Sequence, residues 1–302
     1  MIVCVCPNPA IDVTYYVKKT IVGETNRVRD HQRRPGGKAI NTALVLTALG
    51  HSVTVVTPLG GQAGREVVAA LSDGAGISLI ATPLSGTTRS TVTVVDDDSA
   101  TVFAERGPEL NRAEWASLCS TLAAQHAEVV VMSGSLPPVP RGAGYADLIR
   151  AARPARVVLD TGGADLAAAL GAAPDVVRPN LGEACSALNR DLSPEHAARA
   201  LVAAGAGAAI VSNGPSGLVA AVGQRVIRAS PVAVRVGNAT GAGDAANAAV
   251  AAGLVRGTDF AEIVRDAVAT SEAALNRSVA GEIDLAIRAD LLALIKVIDE
   301  AL

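Results

Sequence analysis

The residues best suited to chemistry lie in Thr240-Gly241-Ala242-Gly243-Asp244. Two glycines free the backbone to present successive N–H groups to an anion. The Ala-rich run that follows, as far as Leu254, predicts a helix whose first amides and positive dipole end point the same way. A phosphate group suits such a place. Asp244 then has two readings. It is either a carboxylate that stabilises the helix N-terminus or a base set beside the anion to take a proton from an attacking hydroxyl. The turn alone does not choose between them.

Other polar and glycine residues fall where β-branched apolar runs end. Asn8 and Asp12 follow Ile2 to Cys6, Gly60-Gly61 follow Ser52 to Thr57, and Ser133-Gly-Ser-Leu-Pro-Pro138 follows Val129 to Met132. Asp160-Thr161-Gly162, Arg178-Pro179-Asn180 with Glu183, and Ser212-Asn213-Gly214 follow the later runs. Ligands bind at the carboxyl edge of an open parallel sheet, so these loops and the anion turn predict one composite cleft. On spacing alone, Asn180-x-x-Glu183 reads as a helix capping box, and Asp12 reads equally well as a turn residue after Pro9. Lys38 is one of only four lysines and sits in Pro35-Gly36-Gly37-Lys38-Ala39-Ile40-Asn41, at a helix start where its charge opposes the dipole. It is either a solvated surface lysine or a residue kept there for an anion.

The elements that must hold these residues alternate as βαβ units should, with helices predicted over 63–71, 112–125 and 145–153 and from Asp165, Leu181 and Pro194. This pattern argues for an α/β fold, a central mostly parallel sheet flanked by helices. Two windows lack helical spacing. Val13–Val17 with Thr25–Arg29, and Thr88–Val95 with Ala100–Ala104, predict two hairpins and a small antiparallel sheet apart from the main body. The expected division is a core of 1–10, 36–86 and 108–302 and a β-sheet lid of 11–35 and 87–107.

Composition narrows the function. With 302 residues, 26 Lys plus Arg against 29 Asp plus Glu and a net charge of −3, the chain offers no basic field for nucleic acid. Its six aromatic residues are too scattered for a base-stacking platform. Cys4, Cys6, Cys119 and Cys185 include no C-x-x-C pair and no matching His spacing, so neither a disulfide framework nor a zinc site is indicated. Cys4 and Cys6 read as same-side residues of a strand. No run is apolar and long enough to span a bilayer, and a cytoplasmic protein is expected.

These motifs, in this order, resemble those of the ribokinase-like sugar kinases of phosphofructokinase B type, in the branch that includes 1-phosphofructokinase and tagatose-6-phosphate kinase. The matching stretches are Asn8-Pro-Ala-Ile-Asp12, Gly23-Glu24 with Asn26-Arg27-Val28, Gly36-Gly-Lys-Ala-Ile-Asn41 and Thr88-Arg89. Ser133 to Pro138, Asp160-Thr161, Pro179-Asn180 with Glu183, and Gly241-Ala-Gly-Asp244 complete the set. The resemblance implies a ribokinase-like fold and ATP-dependent phosphoryl transfer, with Asp244 as base and the backbone of Gly241, Ala242 and Gly243 holding the developing charge. It implies that Asn180 and Glu183 organise Mg²⁺ through water, and that Asn180, Ser212, Gly214, Gly241 and Gly243 serve the nucleotide. Asp12, Gly37 and Asn41 would hold the sugar, while Lys38 and Arg89 would grip a phosphate the sugar already bears. A homodimer through the lid is a further expectation.

The chain departs from the family pattern at Asn238-Ala239-Thr240, at Arg178 in place of a lysine, at Thr91, and at Val102 and Ala104. Most of these changes fall on the sugar side. A kinase of a sugar phosphate is the expected function. The alternatives are a kinase of an unphosphorylated sugar or nucleoside and a sugar-binding regulator without catalysis. An oxidoreductase is excluded because no G-x-G-x-x-G turn follows the first strand.

Overall fold

The computed structural model describes residues 1–72, 76–232, 240–275, 277 and 279–301. Along the chain come β1 (Ile2–Val5), β2 (Ala10–Tyr16), β3 (Asp30–Gly36), α1 (Lys38–Ala48), β4 (Val53–Leu59), α2 (Gly61–Ser72), β5 (Ile77–Pro83), β6 (Arg89–Val95) and β7 (Ala100–Ala104). The middle alternates: α3 (Arg112–Ala123), β8 (Val129–Ser133), α4 (Tyr145–Ala152), β9 (Arg156–Asp160), α5 (Gly163–Leu170), β10 (Val176–Val177), α6 (Leu181–Leu188), α7 (Pro194–Ala203) and β11 (Ala208–Ser212). It closes with β12 (Leu218–Val222), β13 (Arg225–Ala229), α8 (Ala242–Arg256), α9 (Phe260–Ala274), α10 (Leu285–Leu294) and β14 (Val297–Ala301).

Ten strands form one sheet in the order β14-β13-β12-β11-β10-β9-β8-β1-β4-β5, parallel from β11 to β5 and antiparallel from β11 out to β14. Both faces of its centre are buried, which is why these strands read as unbroken apolar runs. Ile2, Cys4 and Cys6 point into the core under α1, α8 and α9, while Val3 and Val5 point into a second core under α3 to α7. The two cysteines therefore share a face, as their spacing predicts, and burial pushes the Cys6 thiol up to about 12. All four cysteines are free thiols.

The other four strands form a separate sheet in the order β3-β2-β6-β7. Its two outer pairs are antiparallel, and the two hairpins join through β2 and β6 side by side in parallel. The partner of β2 is Asp30–Gly36, not the predicted Thr25–Arg29. The Asn26 side chain ties the intervening loop by accepting from Ile21 N and donating to the carbonyls of Ile21 and Glu24, and Arg29 N then returns to Tyr16 O at 2.8 Å. β3 carries almost no apolar residue because it is an exposed edge, and so it lacks the alternation that marks a half-buried strand. β5 and the antiparallel margin β12-β13-β14 were not foreseen either. No described helix is long and apolar enough to cross a membrane.

α8 is buried along eleven of its fifteen residues, and six of those eleven are alanines. Gly253 shows the limit, since a Cβ there would lie 2.5 Å from Ile263 Cγ1 of α9. That tight seat aims the first turns of α8 at the carboxyl ends of β9 and β10.

Candidate active site

The candidate site is assembled where the parallel strands end. Gly241 caps α8 with φ 88°, a left-handed conformation, and a Cβ there would meet Ala280 at 2.8 Å. Glycine is required on both counts. Asp244, in the first helical turn, is buried, and its Oδ2 accepts from Asn41 Nδ2 at 2.8 Å. α1 fastens the same turn a second time through Thr42 Oγ1, which donates to the Asp244 carbonyl at 3.2 Å. Burial raises the Asp244 carboxyl to about 7, helped by the nearby Asp160 charge, while Asn41, Lys38 and Arg178 hold it back. The cap is Gly241, and the Asp244 carboxyl is turned to the Asn41 amide.

Asp160, the last residue of β9, is buried among cations. Its Oδ1 lies 3.2 Å from Lys38 Nζ, and its Oδ2 accepts from Arg178 Nη2 at 2.8 Å and from Asn247 Nδ2 at 2.6 Å. Burial pushes its carboxyl up, but Arg178 and Lys38 outweigh that and hold it below the ordinary carboxylate value. Lys38 starts α1 behind Gly37, whose φ of 111° and closeness to Cys6 Sγ leave no room for a side chain. Its ammonium also faces Glu183 Oε1 at 3.9 Å. Burial disfavours the Lys38 charge, yet Asp160, Glu183 and Asp244 together raise its proton affinity above normal.

Two clefts flank this cluster. One, of 400 Å³, is lined by Asn8, Lys38, Arg89, Ser133, Ser135 and Glu183 among others. Arg89 reaches it from the first residue of β6, its guanidinium donating to Asn8 O at 3.3 Å and Glu105 O at 3.1 Å. Asp12 lies near it on β2, its carboxyl resting on Gly36, where any Cβ would clash at 2.2 Å. Burial raises the Asp12 carboxyl, and Arg89 and Thr91 moderate the rise. The second cleft, of 270 Å³, is lined by Arg178, Ser212, Gly214, Leu218, Ala242 and Val268 among others.

The expected residues are distributed unevenly. Lys38 and Arg89 border the same cleft, but the Lys38 ammonium is turned toward Asp160, Glu183 and Asp244. Asn41, expected on the sugar, has its amide nitrogen on Asp244. Asn180 and Glu183 form the capping box that their spacing suggests, with Glu183 N to Asn180 Oδ1 at 2.8 Å and Asn180 N to Glu183 Oε2 at 2.9 Å. This leaves Glu183 Oε1 as the outward oxygen. Among the described residues no group of three or more His, Cys, Asp or Glu side chains is arranged to hold a metal ion. A single outward carboxylate oxygen, already facing the Lys38 ammonium at 3.9 Å, fits a hydrated cation held through water, not a directly ligated one. Asn238 lies outside the described residues.

Four contributors were given no role by sequence reading. Arg178 registers there as a strand-end loop residue and a departure from the family pattern, and Asn247 looks like one more residue of an Ala-rich helix. Its i+3 spacing from Asp244 puts it near the same face and is the signal that could have found it. Val268 and Leu275 of the second cleft carry no signal, because apolar helix residues are normally core.

Residues 3–285 match the pfkB family of carbohydrate kinases. The chain is 36% identical over 279 residues to the 1-phosphofructokinase of Rhodobacter capsulatus, covering 89% of this chain and 88% of that protein. Among solved structures it resembles Escherichia coli phosphofructokinase-2 in complex with fructose-6-phosphate, with 27% identity, a TM-score of 0.88, and coverage of 97% of this chain and 98% of that one. Arabidopsis thaliana ribokinase complexed with ribose and ATP shares the fold, at 22% identity and a TM-score of 0.76, over 96% of this chain and 98% of that one. With a buried carboxylate set at a glycine turn between two clefts, on this ribokinase-like frame, the chain belongs to the pfkB family of carbohydrate kinases and is a phosphotransferase.

Proposed function

We propose that the protein transfers the terminal phosphoryl group of ATP to a hydroxyl of a sugar phosphate, as a 1-phosphofructokinase-like enzyme. The observation that carries this reading is the buried Asp244, raised to about 7 and fixed by Asn41 between a charged cleft and an apolar one. A general base works best with a pKa near the operating pH. The acceptor enters the cleft beside Arg89, with its phosphate on Arg89 and its hydroxyls toward Asp12 and the Gly36-Gly37 turn. The nucleotide lies along Ser212, Gly214 and the apolar wall of the second cleft. Its terminal phosphate meets the amides of Gly241, Ala242 and Gly243 at the positive end of α8.

The acceptor oxygen attacks phosphorus as Asp244 takes its proton. The bond from phosphorus to the bridging oxygen breaks, and the electron pair leaves with the nucleoside diphosphate. Lys38 stands between the clefts and offsets charge on the group in transit, a role closer to the reaction than the acceptor grip expected from sequence. Glu183, steadied by Asn180, would hold Mg²⁺ through water, and that ion would neutralise phosphate charge.

The β3-β2-β6-β7 sheet is proposed as a lid over the acceptor cleft. Its exposed Val102 and Phe103 on β7, with Val22 in the β2–β3 loop, support pairing of two copies of the chain through it. Four unpaired thiols support a cytoplasmic setting. The test is an ADP-release screen over sugars and sugar phosphates with ATP and magnesium. A preference for a ketohexose phosphate, whether fructose 1-phosphate or tagatose 6-phosphate, supports the reading. A preference for unphosphorylated sugars or nucleosides overturns the acceptor assignment.

A further inference from the structure

Arg178, Asp160 and Asn247 close a triangle of buried side chains beneath the anion turn. Arg178 Nη2 donates to Asp160 Oδ2 at 2.8 Å, Asn247 Nδ2 donates to the same oxygen at 2.6 Å, and Arg178 Nε donates to Asn247 Oδ1. The three residues come from the loop after β10, the end of β9 and the first turns of α8. The guanidinium also lies against the backbone of the turn, since a Cβ on Gly243 would be only 2.8 Å from Nη2. The triangle therefore links the carboxyl edge of the sheet to the helix that carries Asp244, three residues before Asn247.

The geometry points to Arg178 as a positioning residue, one that sets where the Gly241–Gly243 amides and the Asp244 carboxylate stand relative to the sheet-edge loops. This inference rests on the phosphoryl-transfer reading above for its consequence, and on the hydrogen bonds alone for its structure. Only a planar fork can serve both partners, because Nε and Nη2 point along one edge of a rigid group and each finds its own oxygen. A lysine keeps the positive charge beside Asp160 but brings a single nitrogen, so one side of the triangle opens. The helix turn is then held by the Asn41 and Thr42 bonds to Asp244 and the Asn247 bond to Asp160.

Misplacing a reacting group by an ångström costs roughly 100-fold in rate. Arg178→Lys should therefore lower kcat by about 10- to 100-fold, with the acceptor KM within threefold of the parent and the melting temperature nearly unchanged. Asn247→Ala should cause a similar loss. The double variant should lose little more than either single one, because all three share one connection. A readout independent of activity is amide hydrogen exchange over Ala245–Val250, expected to quicken by about tenfold in Arg178→Lys while the amides of β1 and β8 stay as they were. Should Arg178→Lys fail to fold, Asn247→Ala carries the same expectations.

Three results would overturn the inference: kcat and exchange both at parent levels, losses that multiply in the double variant, or a loss confined to the nucleotide KM. The last would make Arg178 a nucleotide ligand. If exchange quickens as expected but the parent releases no ADP with any sugar phosphate, the lock stands and the functional reading falls. An active parent with an indifferent Arg178→Lys does the reverse.

Discussion

The cleft beside Arg89 is walled by ionisable groups brought from distant parts of the chain, Lys38, Arg89, Asp165 and Glu183. The slot on the other side of α8 is walled by Val268, Leu275, Pro231 and Leu218, with glycines at 214, 217 and 243. The first can recognise its ligand by charge, where single contacts are strong and removing one is costly. The second can recognise by shape and apolar area, where each side chain contributes a little. Asp244 lies between them, and in the proposed mechanism it takes the proton of the acceptor as the nucleotide gives up its phosphoryl group.

The strongest test of that division is Asp244→Asn. If the carboxylate serves both sides equally, kcat should fall by about 10² to 10⁴ while both KM values stay within a few fold, read by steady-state kinetics. A change in only one KM would assign Asp244 to one cleft. The same variant has a stability consequence. Burial raises this carboxyl, so the folded state holds its proton up to about pH 7, whereas the unfolded chain releases it near pH 4. Keeping it buried costs stability as pH rises through that window and nothing below it. Asp244→Asn should melt several degrees higher than the parent at pH 8 and no higher at pH 4.

Arg89→Ala comes next and addresses one cleft alone. Losing a hydrogen bond to an anion is worth roughly 1.5 to 3 kcal/mol, so kcat/KM for a phosphorylated acceptor should drop by about 10- to 150-fold with ATP little affected. The loss should shrink at high salt, where the charge of the parent is screened. Equal losses for both substrates would erase the distinction between the clefts.

The pH profile is a smaller effect that sharpens the picture. A base must be ionised, so kcat should decline below about pH 7, by about tenfold per unit well below it. Asp160→Asn removes a negative charge that raises the Asp244 carboxyl, and should carry that limb to lower pH. A limb that stays put would detach Asp160 from Asp244. The smallest expected change is Leu275→Ala in the apolar slot. Removing part of one wall should raise the nucleotide KM by about fivefold, at roughly 1 kcal/mol, and leave the acceptor KM alone.

The local chemistry of this chain was legible without a structure wherever it depended on short-range order. The glycine turn before α8, the capping spacing of Asn180 and Glu183, the shared face of Cys4 and Cys6, and the strand ends with their polar loops all follow from backbone periodicity and steric rules that act over a few residues. The alternation of strands and helices then dictates a parallel sheet whose loops gather on one edge. What escaped was set by neighbours far along the chain. β3 is a strand because β2 pairs with it, not because of its own composition, and β12 to β14 extend a sheet that already existed. Arg178, Asp160 and Asn247 are separated by 18 and 87 residues, yet they share hydrogen bonds. The half-exposed Lys38 ammonium turns to Asp160 and Glu183, carboxylates that only the fold brings beside it. Charges taken from water must find partners inside, and which partners they find is decided only when the chain has folded around them.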